Sequence, residues 1–343
     1  MFVFAADLHL SLITWQRLPE LNFESLSSFR VLLEKAYVAD YQKPDGNCPL
    51  VLGGDIFDSV KMTPELLEKA IMIRDLYPDV PIYYINGNHD AIEPSWCSFF
   101  KNAYRLGSQP TTLPDGEVLC GIDFQLPEAF PEAVKHVYPG CDYLVIHQTL
   151  DKLSGGLPGS VDSTPLQNFN CVLAGDYHKN VHVDNLYSPG STNRRSISED
   201  AGQAFFINNG EIKNFPLENR PLVQVSVDEP DIKAKLASIW EYDFNGEELR
   251  GIIVVRGDIT PEDKERWIEE VNGEAYLLFV PQVNAKQELE VEIGSAVATA
   301  CGSKVYMLDM LDKYPCSDPA KGVIRDYLTH SDMYLEQLRA KLS

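Results

Sequence analysis

Short apolar runs recur along the first part of the chain, and each ends abruptly in acidic, histidine or glycine residues. The five runs are MFVFAADLH at the N-terminus, PLVLGGDIFD from Pro49, PIYYINGNHD from Pro81, DYLVIHQ from Asp142 and NCVLAGDYH from Asn170. Continuous apolar runs of this length are typical of strands that are covered on both faces. The pattern therefore predicts buried strands with polar tips.

Helical patterns lie between these runs. SFRVLLEKAYVADY ends at Tyr41, and TPELLEKAIMIRDLY opens with Thr63 as N-cap and Pro64 at the first helical position. Alternating strands and helices predict an α/β fold, in which ligands gather beyond the carboxyl ends of the strands. All of the polar tips are expected at those ends.

The pattern changes after about Phe215. The stretch from roughly Pro221 to Asn284 reads as strand, helix and strand, and Pro261 opens the helix that contains Trp267. Its strands lack ligand-like tips, so we predict a smaller α+β domain, followed by helices. The predicted boundaries are 1–218 for the first domain, 219–290 for a capping domain and 291–343 for a C-terminal helical segment.

The charge balance restricts the partners of the chain. Its 343 residues suffice for about two domains, and 51 acidic residues against 29 basic ones give a net charge of −22. Non-specific affinity for nucleic acid depends on cationic groups that displace phosphate counterions. A generic polyanion-binding surface is therefore not expected, and divalent metal or a basic partner would have to compensate.

The cysteines and the hydropathy indicate a cytoplasmic protein. The seven cysteines are dispersed, without a C-x-x-C pair, so we expect reduced thiols rather than a disulfide framework or a zinc ribbon. The N-terminal run lacks a basic segment and contains Asp7 and His9, which argues against a signal peptide. No apolar stretch approaches transmembrane length.

The polar tips carry the ligands that hard or borderline divalent ions prefer, namely carboxylates, amide oxygens and imidazoles. Asp7 and His9 lie on the same side of an extended strand, so both can face one ion. Two ions that share a bridging carboxylate, such as that of Asp55, can hold a phosphodiester for in-line attack. The remaining candidate ligands are Asn88, His147, Asp176 and His178.

Each tip alone also has a plain structural interpretation. Asp7 with His9 could end a solvated strand, and His147 could be a core histidine with its hydrogen bonds satisfied. Asp176 and His178 could belong to a strand that runs into a polar turn. Five such tips in one order, each after a buried-strand pattern, favour a common metal site.

These motifs resemble the calcineurin-like metallophosphoesterase superfamily, with D-x-H, G-D-x-x-D, G-N-H-D, a lone histidine after a strand and a near match to G-H-x-H. Within it, GDIFDS, YINGNHD and LYSPGSTNRRSISED resemble the SbcD nuclease family, the bacterial and phage branch of the meiotic-recombination double-strand-break nucleases. The resemblance covers residues 1 to about 215. It implies a four-layer α-β-β-α sandwich of two sheets, followed by a capping domain.

The resemblance also implies a two-metal centre. One departure is that Asp176 stands where the family usually has histidine, so the second ion would have a more oxygen-rich shell, which favours Mn²⁺, with Mg²⁺ as the alternative. One ion is expected between Asp7, His9, Asp55 and His178, and the other between Asp55, Asn88, His147 and Asp176.

Further residues are expected beside the ions. His89, held by Asp90, would position the phosphate or protonate the departing 3′ oxygen. Asp90 and Asp58 could orient ligands or only cap local turns. Arg194 and Arg195 could contact phosphate or form a solvated turn.

The implied function is that of a DNA exonuclease or endonuclease that works beside an SbcC-type, SMC-like coiled-coil ATPase in recombination, repair or replication, as a homodimer within a heterotetramer. The final helix, SDMYLEQLRAKLS, could dock on that partner or pack on the chain itself. Two rival functions remain, a small-substrate metallophosphatase or phosphodiesterase and a catalytically silent scaffold of the ATPase.

Overall fold

The structure is a computed structural model that describes residues 1–14, 18, 21, 23–41, 48–197, 199–217, 220–237, 241–242 and 248–281. Met1–Gln282 forms one compact unit. The predicted C-terminal helical segment at 291–343 lies outside the described residues, as do the end of the predicted capping domain and Cys301 and Cys316. The cysteines within the described residues are free thiols, as predicted for those positions.

The strands are short, and helices, loops or tight turns separate them. The helices are α1 (Glu24–Tyr41), α2 (Pro64–Asp75), α3 (Phe130–Lys135), α4 (Asp151–Ser154), α5 (Ile232–Ala237) and α6 (Pro261–Val271), with 3₁₀ turns at Trp96–Phe99 and Thr164–Leu166. The strands are β1 (Phe2–Ala5), β2 (Leu50–Gly53), β3 (Ile82–Ile85), β4 (Ala103–Arg105), β5 (Thr111–Thr112), β6 (Val118–Ile122), β7 (Tyr143–His147), β8 (Val172–Gly175), β9 (Asn180–Val183), β10 (Leu186–Pro189), β11 (Gln203–Asn208), β12 (Glu211–Pro216), β13 (Leu222–Ser226), β14 (Glu241–Tyr242), β15 (Glu248–Leu249), β16 (Ile252–Gly257) and β17 (Tyr276–Pro281).

The apolar runs of the sequence form β1, β2, β3, β7 and β8, which confirms the predicted strands. The helix before β2 begins at Glu24 rather than at the predicted Ser28. The start of α2 is as predicted, because the Thr63 side chain accepts a hydrogen bond from the Leu66 N–H and Pro64 occupies the first turn.

Two mixed sheets hold these strands. Within the described residues, one sheet has the order β12-β11-β1-β2-β3-β4 and the other β5-β6-β7-β8-β10-β9. The strands β1, β2 and β3 run parallel, with Val3 opposite Leu50 and Leu50 opposite Ile82. The strands β7 and β8 are also parallel. The polar tips of each sheet therefore lie together at the carboxyl ends of its parallel strands.

The alternation of side chains along the strands builds the layers. Val3 and Ala5 pack with α1 and α2 in one apolar cluster, whereas Phe2 and Phe4 pack between the two sheets against side chains of β6, β7 and β8. On the outer face of the second sheet, Leu144 packs with α3 and α4. Helices, sheet, sheet and helices follow one another, which confirms the predicted four-layer α-β-β-α fold.

A smaller sheet follows, in the order β13-β16-β17 with all strands parallel. One of its faces packs with α5 and α6 around the fully buried Trp267. Its other face contributes Ile252 and Val254 to a cluster with Leu18 and Leu21, which lie between β1 and α1 in the chain. The helix α6 begins at Pro261, as predicted, after a capping box between Thr260 and Asp263. No helix in the described ranges is long and apolar enough to cross a membrane.

Candidate metal centre

Each candidate ligand follows the carboxyl end of a buried strand. Asp7 and His9 come after β1, Asp55 after β2 and Asn88 after β3. The second sheet supplies the other three, because His147 is the last residue of β7 and the loop after β8 carries Asp176 and His178. Asp7, His9, Asp55 and His147 are almost completely buried. The facing sheets thus bring tips from distant parts of the sequence to one place.

The backbone at several of these positions is left-handed, a conformation that is uncommon for residues other than glycine. Because it is unfavourable, it persists only where the surrounding structure holds it, and such positions cluster at functional sites. A sharp turn at the strand end directs the side chains inward. The left-handed candidates are Asp7 at φ 54°, His9 at 45°, Asp55 at 48° and Asp176 at 80°.

Two imidazoles meet on one side of the centre. His9 Nε2 lies 3.2 Å from His178 Nε2, and carboxylate oxygens stand beside both. Asp7 Oδ1 is 3.6 Å from His178 Nε2, and Asp55 Oδ2 is 3.7 Å from His9 Nε2. These four side chains form the set expected for the first ion.

A third imidazole meets oxygens on the other side. The carbonyl of Gly53 only accepts, so His147 Nδ1, 2.7 Å away, donates its proton to that oxygen. Nε2 of the same ring then faces four oxygens, with no protein donor among them. The distances from His147 Nε2 are 3.2 Å to Asn88 Oδ1, 3.4 Å to Asp55 Oδ2, 3.8 Å to Asp7 Oδ1 and 3.8 Å to Asp176 Oδ1.

The residues fit divalent cations. A buried ring nitrogen that faces several carboxylates requires a proton or a cation between them. In the described part of the chain, ligand atoms within 4.8 Å of one another occur in the groups Asp7, His9 and His178; Asp7, Asp55 and His147; and His9, Asp58 and His89. The last group already contains a cation, because the Arg195 guanidinium donates to Asp58.

The pKa values of the two histidines reflect the carboxylates that lie beside them. Burial opposes the charged form of His147, but Asp55 and Asp7 raise its pKa well above the ordinary value. Burial also opposes protonation of His178, yet the contacts with Glu199 and Asp7 raise its pKa to about 9. The surrounding carboxylates therefore favour the protonated form of both imidazoles when no metal is bound, and a metal ion would replace the proton.

The carboxylates respond in opposite directions. Burial raises the pKa of Asp7 to about 6. Burial also acts to raise the pKa of Asp55. However, His147, His9 and His89 surround this carboxylate and hold its pKa below the usual range. Asp55 is thus the carboxylate that stays ionised between the imidazoles, as a bridging ligand must.

Asp176 is held by a residue that the sequence did not single out. The backbone N–H and the hydroxyl of Thr149 both donate to Asp176 Oδ2, each at 2.6 Å. The other oxygen, Oδ1, lies on the side of His147. The Asp176 N–H donates in turn to the carboxylate of Asp7 at 3.1 Å. The Asp176 side chain therefore points at the centre, although it lies outside the three compact groups.

A second missed residue is Glu199. Its Oε1 lies 3.3 Å from His178 Nδ1, and its Oε2 accepts from the Arg195 N–H at 2.6 Å. On the other imidazole, His9 Nδ1 lies 3.2 Å from Asp58 Oδ1. Asp58 and Glu199 thus lie beside His9 and His178, and Arg195 contacts both carboxylates. Neither Thr149 nor Glu199 has a local signal, since each acts on a residue remote in sequence.

His89 lies at the rim of the centre, with its ring 5.0 Å from that of His9. The sequence predicts that Asp90 holds His89. In the structure the His89 ring is held by the Asp58 carbonyl instead, because His89 Nδ1 lies 2.9 Å from that oxygen. The buried Asp90 carboxylate instead accepts from the backbone N–H groups of Gly87 at 2.6 Å and Ile56 at 2.7 Å. Asp90 therefore fixes the loops that carry the ligands and does not hold the His89 ring.

The two arginines of the PGSTNRR loop have different surroundings. Arg195 is partly exposed and pairs with Asp58 beside His9. Arg194 donates to the backbone carbonyl of Glu199 at 3.0 Å and to that of Arg220 at 3.4 Å. Arg195 therefore lies at the centre, whereas Arg194 is engaged in fixing the loop.

Glycine is required where the backbone passes close to the ligands. Gly54 has φ 90°, and a Cβ there would collide with the His147 ring. At Gly87, a Cβ would overlap the side chain and backbone of Asp55. The G-D and G-N motifs thus keep space for the imidazole of His147 and the carboxylate of Asp55.

Comparison with known proteins identifies the family to which the first part of the chain is similar. Residues 1–200 match a family model described as calcineurin-like phosphoesterase. Among solved structures, the chain is similar to one described as a novel archaeal phosphodiesterase, with 11% sequence identity and a TM-score of 0.35. That match covers 63% of this chain and 99% of the other.

Proposed function

Because the chain belongs to the calcineurin-like phosphoesterase family, we propose that it is a nuclease of the SbcD type that hydrolyses phosphodiester bonds at DNA ends with two divalent ions. The observation that carries the proposal is the convergence of the Asp7 and Asp55 carboxylates between two groups of imidazoles. A two-metal phosphoesterase needs such carboxylates between its ions.

We propose two ligand sets that share Asp55. We assign Mn²⁺ as the preferred ion and Mg²⁺ as the alternative, because oxygen donors outnumber nitrogen donors. The first ion takes Asp7, His9, Asp55 and His178, and the second takes Asp55, Asn88, His147 and Asp176.

The side chains around the ions have different roles in this proposal. When bound, the ions neutralise the charge of the phosphoryl group and supply an activated water. His89 Nδ1 is tied to the Asp58 carbonyl, so its Nε2 is the atom that holds and transfers a proton to the leaving 3′ oxygen. Arg195 is fixed by Asp58 and offers a guanidinium to the phosphate, while Arg194 shapes the loop beside it.

The charge of the chain is consistent with a partner that grips the DNA. A net charge of −22 provides little counterion release for duplex binding. We propose that an SbcC-type coiled-coil ATPase holds the duplex, that the residues after 219 form a capping domain, and that two copies of this chain join two ATPase chains. Under this proposal the protein acts in recombination, repair or replication.

The test is a substrate panel with the purified chain in Mn²⁺, with and without the ATPase partner. The substrates are linear duplex DNA, single-stranded DNA, a cyclic nucleotide and a chromogenic phosphate monoester. We expect release of nucleotides from DNA ends and little turnover of the small esters. Preference for the small esters would replace the nuclease by a small-substrate phosphoesterase. Lack of turnover on every substrate, with both ions bound, would indicate a scaffold.

A further inference from the structure

We propose that Thr149 and Asp176 make the two ion positions unequal: Thr149 fixes Asp176 as a one-oxygen ligand, so that the second position selects hard ions more strongly than the first does. The proposal rests on the proposed two-metal centre and adds the residue that determines its ion specificity. The observation that supports this proposal is that both hydrogen-bond donors of Thr149 bind the same oxygen of Asp176.

The first step concerns the number of oxygens that Asp176 can offer. Both Thr149 donors bind the same atom, Asp176 Oδ2, at 2.6 Å. An oxygen that accepts two short hydrogen bonds is engaged, and Oδ1 remains, 3.8 Å from His147 Nε2. Asp176 therefore presents one oxygen in a fixed direction.

The second step concerns the rigidity of Thr149. Its carbonyl accepts from the Val161 N–H at 2.9 Å, and the Asp151 N–H donates to the Val161 carbonyl at 3.0 Å. Thr149 is only two positions after His147, so it ties the tip of β7 to that of β8. The partly buried Asp176 carboxylate thus keeps its orientation before an ion arrives, which reduces the ordering cost of binding.

The third step compares the donors of the two positions. The first position has two imidazoles and two carboxylates, and a further carboxylate, from Asp58 or Glu199, lies beside each imidazole. The second has one imidazole, from His147, and three oxygen donors. Nitrogen donors favour Zn²⁺ and other borderline ions, and oxygen donors favour Mg²⁺ and Mn²⁺. The second position should therefore discriminate against Zn²⁺ more than the first does.

The experiment measures metal binding directly, separately from activity. Metal-free full-length protein is titrated with Mn²⁺, and free Mn²⁺ is followed by electron paramagnetic resonance, with Mg²⁺ or Zn²⁺ as competitor. Thr149→Val removes the hydroxyl but keeps the backbone donor, and Thr149→Ser restores a hydroxyl. Thr111→Val, on the edge strand β5 of the same sheet, is the matched control, and thermal melting of each metal-free variant checks its fold.

We expect two Mn²⁺ per parent chain, one of which Mg²⁺ displaces at lower concentration. In Thr149→Val the ion that Mg²⁺ displaces first should lose affinity by about 10- to 100-fold, as is usual when a partner of a ligand is removed, while the other ion is unchanged. Thr149→Ser and Thr111→Val should behave as the parent. Asp176→His should raise the Zn²⁺ affinity of the second position relative to its Mn²⁺ affinity.

Unchanged binding of both ions in folded Thr149→Val, or equal loss of both, would overturn the role of Thr149. Equal displacement of both ions by Mg²⁺ in the parent would overturn the inequality. These results leave the proposed function standing. Failure of the parent to bind any Mn²⁺ would instead overturn the two-metal centre itself.

Discussion

The two ring nitrogens of His178 contact different groups of the centre. Its Nε2 faces His9 and Asp7, and its Nδ1 faces Glu199. Because these contacts outweigh burial, its pKa rises from 6.5 to about 9. A proton therefore holds the place that a cation would take, so metal binding and protonation compete at this side chain.

The first prediction is a pH dependence of the metal-free protein. The folded pKa of His178 is raised, so its contribution to stability is complete below about pH 6.5 and is lost as the pH rises through about 9. We expect the melting temperature of the metal-free parent to fall between pH 6.5 and 9, and the increase on adding Mn²⁺ to grow over the same range. His178→Gln should remove part of this slope. Calorimetry checks it, and an equal slope in the parent and the variant would contradict this assignment.

The second prediction concerns His89. Its ring is held by the Asp58 carbonyl and is partly exposed at the rim, so it can reach a leaving oxygen without being an ion ligand. We expect His89→Gln to lower kcat on DNA by about 10²- to 10⁴-fold, the usual contribution of a general acid. Mn²⁺ stoichiometry should be unchanged. The exposed His136 provides the control His136→Gln, and parental turnover in His89→Gln would exclude the proton-transfer role.

At the scale of elements, the sequence predicted the strands and their tips better than the contacts between them. Apolar runs that end in polar residues identify β1, β2, β3, β7 and β8, because strands buried on both faces leave a continuous apolar pattern. The pattern does not reveal that Thr149 reaches Asp176 or that Glu199 reaches His178. Those contacts depend on how loops from different strands approach one another, which no local periodicity encodes.

The expectation that Asp90 holds His89 differed from the structure for the same reason. Adjacent residues on a tight turn point in different directions, and the nearest acceptor for the His89 ring is the carbonyl of Asp58. The Asp90 carboxylate binds backbone donors on two neighbouring loops instead. Sequence proximity therefore indicated the correct turn but assigned the wrong contact within it.

The third prediction concerns the helix α6 and the smaller sheet. Trp267 is fully buried between α6 and this sheet, and its Nε1 donates to the Val227 carbonyl at 3.2 Å. We expect Trp267→Ala to lower the free energy of unfolding of the protein by about 3–5 kcal/mol, as for other buried aromatic residues. Urea unfolding monitored by circular dichroism measures the loss. The neighbouring exposed Ile268 gives the control Ile268→Ala, and similar losses in both variants would contradict the packing described.

At the scale of the whole molecule, an acidic chain surrounds a centre that itself collects carboxylates. Asp7, Asp55 and Asp176 approach the same imidazole, and the chain carries a net charge of −22. Such a centre is electrostatically complete only with cations bound. The composition alone predicted the need for metal or a basic partner, whereas the position of the cations required the two sheets to be placed face to face.

The most direct test of the two-metal centre is anomalous diffraction at the manganese edge from crystals of the protein grown with Mn²⁺. We expect two peaks about 3.5–4 Å apart, both adjacent to the carboxylate of Asp55. His9 and His178 should flank one peak, and Asn88, His147 and Asp176 the other. Absence of peaks at this position, or an Asp55 side chain turned away from them, would contradict the account.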